Sequence, residues 1–216
     1  MRAIALKTMG LAAAVCVLAT PAVADDNDIM ATNAPATSMV TPADFAWDAA
    51  LINLKEIRLG EAAESNSQNT AVQEFGRHMV KDHSKLNERL KKIAATEGLQ
   101  LPDPNIFYVQ VTPPEEKPAT QLMEETPQQK LMDAQLDVQN LLSLNGPEFD
   151  QAYADAMVKG HAKAIQKFED ASATLQDKAL KHYADHGLKN IRNHYDMAQR
   201  LQSEVTGTNA PPANSM

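Results

Sequence analysis

The sequence predicts an all-α protein: a four-helix bundle with a long crossover between its halves and one extra short helix. Four stretches carry apolar residues at alternating three- and four-residue spacing, which is the pattern of a helix that buries one face. No stretch alternates with period two for long enough to predict a strand. A proline-rich segment separates the second stretch from the third, as expected when two helical hairpins are joined by a crossover.

Residues 1–24 are predicted to be a cleavable signal peptide. Its parts are the basic residues Arg2 and Lys7, the apolar run 9–19, and the small-x-small cleavage site Ala22-Val23-Ala24. The run is shorter than the ~20 apolar residues that a membrane span needs, which disfavours an anchor. We therefore expect the mature chain to begin at Asp25 and to have no transmembrane helix. We expect it to work in the periplasm or outside the cell.

Charge and cysteine content limit the function classes. Cys16 is the only cysteine, and its place inside the apolar run after Val15 disfavours a lipoprotein. The mature chain then has no thiol for disulfides, thiolate catalysis or metal binding. Loss of Arg2 and Lys7, with no acid, changes the formal charge from −8 to −10. An acidic surface argues against nucleic acid and anionic lipid as partners, and leaves a homo-oligomer or an envelope protein.

The mature chain is predicted to have one bundle domain between two disordered ends. Residues 25–40 and 207–216 are polar and show little periodicity, which predicts a disordered leader and tail. The bundle domain spans residues 41–206. Its crossover, about 99–127, carries six prolines, too many for a regular helix.

The helix limits follow from capping residues and turn residues. The first long helix begins at Thr41-Pro42, a good N-cap followed by a proline suited to the first turn. The other three long helices are predicted at about 68–97, 147–172 and 175–203. The short helix directs inward the apolar residues Leu131, Ala134, Val138 and Leu141.

Each long helix has one polar, metal-capable residue within its apolar seam: Glu56, His83, His161 and His194. A buried carboxylate or imidazole needs a partner, because its desolvation alone costs several kcal/mol. These four residues could form a hydrogen-bonded polar layer, or they could bind one divalent transition metal such as zinc, iron, manganese or copper. Three neighbours could support them from outside: Asp82, Asp150 and Tyr153.

The position of His194 along the bundle axis, relative to His161, is left open by the sequence pattern. Counted from the predicted turn at Thr174, His194 lies farther along its helix than His161 lies back along its own. At 1.5 Å per residue the offset is roughly 10 Å. His186 is almost as far from the turn as His161 and would then face it instead. The pair His182 and His186 could also chelate a metal at a surface, although an exposed pair without metal is the simpler interpretation.

Four segments resemble the bacterial domain-of-unknown-function family 4142 over about residues 44–201: NLKEIRLGEAA, EFGRHMVKDHSKLNERLKKIA, NGPEFDQAYADAMVKGHAKAIQKFEDA and LKNIRNHYDMAQRL. The resemblance rests on M-x-x-D-H, on F-D-x-x-Y followed by a helical histidine, and on a final histidine. It implies a ferritin-like bundle that is exported. The family's characteristic positions hold Glu56, Asp82, His83, Phe149, Asp150, Tyr153, His161 and His194.

Two departures from the expected patterns limit what the resemblance implies. Lys189 follows Leu188 in the last helix, where family members often have proline. The chain also has no Glu-x-x-His motif, whereas the di-iron ferritin pattern uses two. Ferroxidase or oxygenase activity is therefore not implied.

The leading hypothesis is an exported helical bundle with a binding or envelope-stress role, acting through the His/Glu site. The first alternative is a metal-dependent oxidoreductase. The second is a structural interaction module without metal, in which the buried histidines only satisfy one another.

Overall fold

The computed structural model describes residues 40–112 and 126–207 of the 216-residue chain. These ranges contain five α-helices, one 3-10 turn and no strand, which confirms the all-α prediction. The helices are α1 (Pro42–Asn66), α2 (Thr70–Glu97), α3 (Pro127–Leu142), α4 (Gly146–Thr174) and α5 (Lys178–Val205), and the turn spans Ile106–Tyr108. The predicted signal peptide, nearly all of the leader and tail, and residues 113–125 of the crossover lie outside the described residues.

Side-chain caps set where the helices begin. Thr41 accepts a hydrogen bond from a backbone N–H in the first turn of α1, as predicted. The second helix begins at Thr70, two residues later than predicted, because the side chain of Asn69 is its cap. The last helix begins at Lys178, three residues later than predicted, because Asp177 accepts from its first turn.

The four long helices form a bundle of two hairpins. One hairpin is α1 with α2, and the other is α4 with α5; between the hairpins, α2 packs on α5 and α1 packs on α4. The predicted short helix is α3, which packs against α1 and α4. Its inward face includes Val138 and Leu141, which are buried, while Leu131 and Ala134 are partly buried.

Each hairpin has a glycine at a position where its two helices are in close contact. A Cβ at Gly60 would lie 2.6 Å from the carbonyl oxygen of Gly76, so only glycine fits where α1 meets α2. A Cβ at Gly187 would lie 2.6 Å from Cε1 of Phe168, where α5 meets α4. These close contacts constrain the register of the two helices in each hairpin, that is, their relative position along the helix axes.

The buried apolar residues fall into two clusters along the bundle. The first cluster surrounds Met79, Met157 and Ala198. The second surrounds Leu86, Ala164 and Ile191. All four long helices contribute to both clusters. On α2, α4 and α5, the residues that lie between the members named above therefore separate the two halves of the core.

Candidate metal centre

Three histidines lie between the two apolar clusters, one each from α2, α4 and α5. His83, His161 and His194 are at most 1% exposed. Their ring centroids are 5.2–5.9 Å apart, and one ring nitrogen from each lies within 4.8 Å of the others. Along their helices each histidine lies between a residue of one cluster and a residue of the other, three or four positions away on either side. The histidines therefore form a polar layer across the core.

The protonation of two rings follows from partners that can only accept hydrogen bonds. Nδ1 of His161 lies 2.8 Å from the carbonyl oxygen of Met157, so this nitrogen carries the proton and donates. Nε2 of His194 lies 3.2 Å from Oδ2 of Asp82, so it donates to the carboxylate. The nitrogens that remain, Nε2 of His161 and Nδ1 of His194, are acceptors with a free lone pair.

The third ring is oriented by Asn53 of α1. The amide nitrogen of Asn53 donates to the hydroxyl of Tyr183 at 2.9 Å, which directs its Oδ1 to Nδ1 of His83 at 3.0 Å. The proton of His83 therefore lies on Nδ1, and its Nε2 is the third free acceptor. In metal sites the second imidazole N–H is bound in the same way, to a carboxylate, a backbone carbonyl or another fixed acceptor.

The layer thus contains three ring nitrogens that each have a lone pair, and none of the three carries a proton to donate to another. Among the described residues, Nε2 of His83, Nε2 of His161 and Nδ1 of His194 are buried and have no hydrogen-bond partner. Burial, with the neighbouring histidines, holds the pKa of His83 well below its ordinary value. Burial also lowers the pKa of His194 to about 4. The lowered pKa values keep the rings of His83 and His194 neutral near pH 7, which is the state that binds metals.

Glu56 does not belong to this group. Within the described residues, the cluster of ligand atoms contains the three histidines and not this carboxylate. Glu56 is buried in the wall of a groove of about 610 Å³ between α1, α3 and α4. Burial, and after it the charge of Glu56, raises the pKa of Tyr153 well above the ordinary value. The group that α1 adds to the histidine layer is Asn53, three residues earlier.

The three predicted supporting residues have different surroundings. Asp82 does support the layer, through its hydrogen bond with His194. Asp150 is buried and accepts from the hydroxyl of Ser67. The hydroxyl of Tyr153 is buried without a partner in the described part of the chain. Of the three, the structure brings Asp82 to the histidines.

His194 lies at the level of His161, and His186 is exposed. His161 lies 13 residues before Thr174, the last residue of α4. His194 lies 16 residues after Lys178, the first residue of α5, so the two distances differ by only three residues. This difference corresponds to about 4.5 Å along a helix, not 10 Å. The expected mismatch was too large because the turn takes residues that were predicted to belong to the last helix.

Three contributors to the site were not found from the sequence. Asn53 gave a usable signal, because it lies one helical turn before Glu56 and is polar within the same face. The carbonyl of Met157 gave none, since every helical residue has one. His78 lies at the edge of the buried face of α2. Its Nε2 is 3.1 Å from Oδ2 of Asp82, on the outer side of the layer.

Comparison with known proteins supports the fold and identifies the family. A crystal structure from Streptomyces coelicolor, of a protein described as a secreted protein of the DUF305 type, matches with a TM-score of 0.54 at 11% identity; the match covers 75% of this chain and 91% of that one. Comparison with curated proteins gives no match. In the described helices, none has the length and apolarity needed to cross a membrane. The family model described as Domain of unknown function (DUF4142) matches residues 28–201, and the chain belongs to this family.

Proposed function

We propose that this protein binds one transition-metal ion through Nε2 of His83, Nε2 of His161 and Nδ1 of His194. The observation that carries the proposal is the set of three buried nitrogens with free lone pairs and no donor among them. An unsatisfied buried polar atom costs about 1–3 kcal/mol. A single cation satisfies all three at once, and the hydrogen bonds of Asn53, Met157 and Asp82 hold the rings in the tautomers that this requires.

The ligand set favours some metals over others. Neutral imidazoles suit zinc, copper and iron, whereas manganese prefers oxygen ligands. With Glu56 outside the group, the three nitrogens favour zinc or copper. Three protein ligands leave a fourth position open on a tetrahedral ion, the arrangement of zinc sites that accept water or another small ligand.

A binding role fits the surroundings of the site better than catalysis. The three rings are at most 1% exposed and lie between two apolar clusters, which gives a substrate no direct approach. We propose that the protein holds or buffers the metal in the cell envelope, with a metal-dependent oxidoreductase as the alternative. The signal-peptide pattern and a secreted structural relative support a periplasmic or secreted location.

Metal titration of the purified protein tests this function. After chelation and dialysis, one equivalent of zinc or copper should bind and raise the melting temperature; free metal at 100 times Kd should add about 2.7 kcal/mol to the free energy of unfolding. His161→Gln should remove most of the rise. His182→Gln is the matched control, since this exposed histidine of α5 lies away from the layer. A wild-type melting temperature unaffected by metal would favour the interaction module, in which the histidines only satisfy one another.

A further inference from the structure

A second group of potential ligands continues from the histidine layer toward solvent. Oδ2 of Asp82 lies 3.1 Å from Nε2 of His78 and 3.2 Å from Nε2 of His194. One ligand atom from each of these residues lies within 4.8 Å of the others. The exposed fraction rises from 0% for the side chain of His194 to 21% for Asp82 and 38% for His78. The three side chains therefore lead from the buried layer to the surface between α2 and α5.

A surface groove reaches the outermost member of this group, His78. It has a volume of about 350 Å³, runs between α2 and α5, and has His78 in its lining. Two carboxylates, Glu74 and Glu204, line it together with one cation, Arg200. A groove with an excess of acids, on a chain of net negative charge, raises the local concentration of cations.

His194 belongs to both groups, through different nitrogens. Its Nδ1 is the nitrogen free for the buried layer, and its Nε2 faces Asp82 and His78. A neutral imidazole has one protonated nitrogen and one lone pair, so it can serve the inner group or the outer group but not both. With an ion in the outer group, the proton lies on Nδ1, the nitrogen that is free for the buried layer. With an ion in the inner group, the proton lies on Nε2 and is donated to Asp82.

We infer that His78, Asp82 and Nε2 of His194 form an outer capture site, which binds a metal ion first and passes it to the three buried histidines as the tautomer of His194 changes. The inference rests on the proposed metal-binding function and adds the entry route to it. Because one ring is shared, the two sites exclude each other and the protein holds one ion. Lys85, 3.9 Å from Oδ1 of Asp82, is the cation that an incoming metal displaces from this carboxylate.

Stopped-flow uptake of Co²⁺ and of Zn²⁺ by the full mature chain tests the entry route. His78→Gln should slow uptake by about tenfold, the lower end of the effects seen when a group supporting a metal site is lost, while final stoichiometry stays at one. His182→Gln, the matched control, should load at the wild-type rate. His161→Gln should retain weak binding of one ion through the outer site, and the double variant His78→Gln/His161→Gln should lose it.

The outcomes separate this inference from the proposed function. A wild-type protein that binds neither ion overturns both. Normal binding with an unchanged uptake rate in His78→Gln overturns the capture site alone. Two tightly bound ions per wild-type chain also overturn it, because they would show that His194 serves both groups at once. Circular dichroism of each variant confirms that the bundle has folded before its uptake is compared.

Discussion

Oδ1 of Asn53 lies 3.0 Å from Nδ1 of His83, so a side chain of α1 decides which nitrogen of an α2 histidine faces the centre of the bundle. The nitrogen of the same amide donates to the hydroxyl of Tyr183 of α5. The first helix thus takes part in the layer without offering a ligand. Its role is to hold the tautomer of His83 in the form that leaves Nε2 free.

Asn53→Ala should weaken metal binding by about 10–100-fold, the range observed when a group that orients a ligand is removed. The metal-free variant should also lose about 1–3 kcal/mol of stability, because the buried hydroxyl of Tyr183 loses a partner. Isothermal titration and denaturant unfolding measure the two effects. Asn87→Ala replaces another buried asparagine of the α1–α2 hairpin and should leave metal affinity unchanged. Equal affinity in Asn53→Ala and wild type would contradict the orienting role.

Gly60→Ala should destabilise the protein by about 1–3 kcal/mol, the usual cost of overpacking a close contact. The added methyl would meet the backbone of Gly76 at 2.6 Å, and neither helix can yield there without sliding. Gly160→Ala is the matched control, because its Cβ would meet Oε1 of Glu56 at an ordinary 3.6 Å. That substitution should be neutral or stabilise the helix by up to about 1 kcal/mol. Urea unfolding of the metal-free proteins compares them, and equal stability of the two variants would refute the contact.

The metal-free protein should lose stability as the pH falls from about 6.5 toward about 4. The pKa of His83 is held well below its ordinary value and that of His194 is lowered to about 4, mainly by burial. In this window the unfolded chain binds protons at these two positions and the folded chain does not, so acid favours unfolding. The stabilising contribution is complete above pH ~6.5 and is lost progressively below it. His161, Asp82 and His78 are the ionisable groups that face these rings.

Replacement of His83 by methionine isolates this effect from the titration of carboxylates. His83→Met should show a shallower fall of the free energy of unfolding between pH 6.5 and 5 than the wild type. His182→Gln should follow the wild-type curve, because this histidine is exposed. Parallel curves for His83→Met and the wild type would show that the neutral ring of His83 does not set the pH dependence.

Leu90→Ala should cost about 2–5 kcal/mol, the usual range for truncating a buried leucine. Leu90 is fully buried in the cluster that contains Leu86, on the far side of the layer from Met79. Met132→Ala, at an exposed position of α3, should change stability by no more than about 0.5 kcal/mol. Thermal and urea unfolding give both values, and a loss below ~1 kcal/mol at Leu90 would mean that its face of α2 is not core.

The sequence predicted the helices and three members of the layer because both depend on periodicity. A histidine within an apolar seam must be buried, and the positions of His83, His161 and His194 in their seams were clear. The contribution of α1 was harder to identify, because Asn53 and Glu56 lie on the same face one turn apart. Spacing cannot show which of the two reaches the level of the histidines; the packing of α1 on α2 decides this.

Two other details depended on contacts that no local pattern specifies. The level of His194 required the start of α5, which the cap at Asp177 sets three residues beyond the predicted limit. The partner of Asp150 is Ser67, at the end of α1, which is distant in sequence and invisible to helical periodicity. Register between helices is a tertiary property, and the glycine contacts that fix it become meaningful once the helices are paired.

The polar layer has a consequence for how the two hairpins hold together. His83 belongs to the first hairpin, whereas His161 and His194 belong to the second, and the chain between them includes the long connection after α2. An ion bound to all three would act as a removable cross-link between the halves of the protein and would close a large loop of chain, which is the case in which a clip gains most from lost chain entropy. Release of the ion would leave the hairpins joined by the two apolar clusters and by hydrogen bonds such as Asn53–Tyr183 and Asp82–His194, with uncompensated lone pairs between the clusters. Removal of a bound ion should then increase hydrogen exchange first in the residues around the histidine layer, where the two hairpins meet.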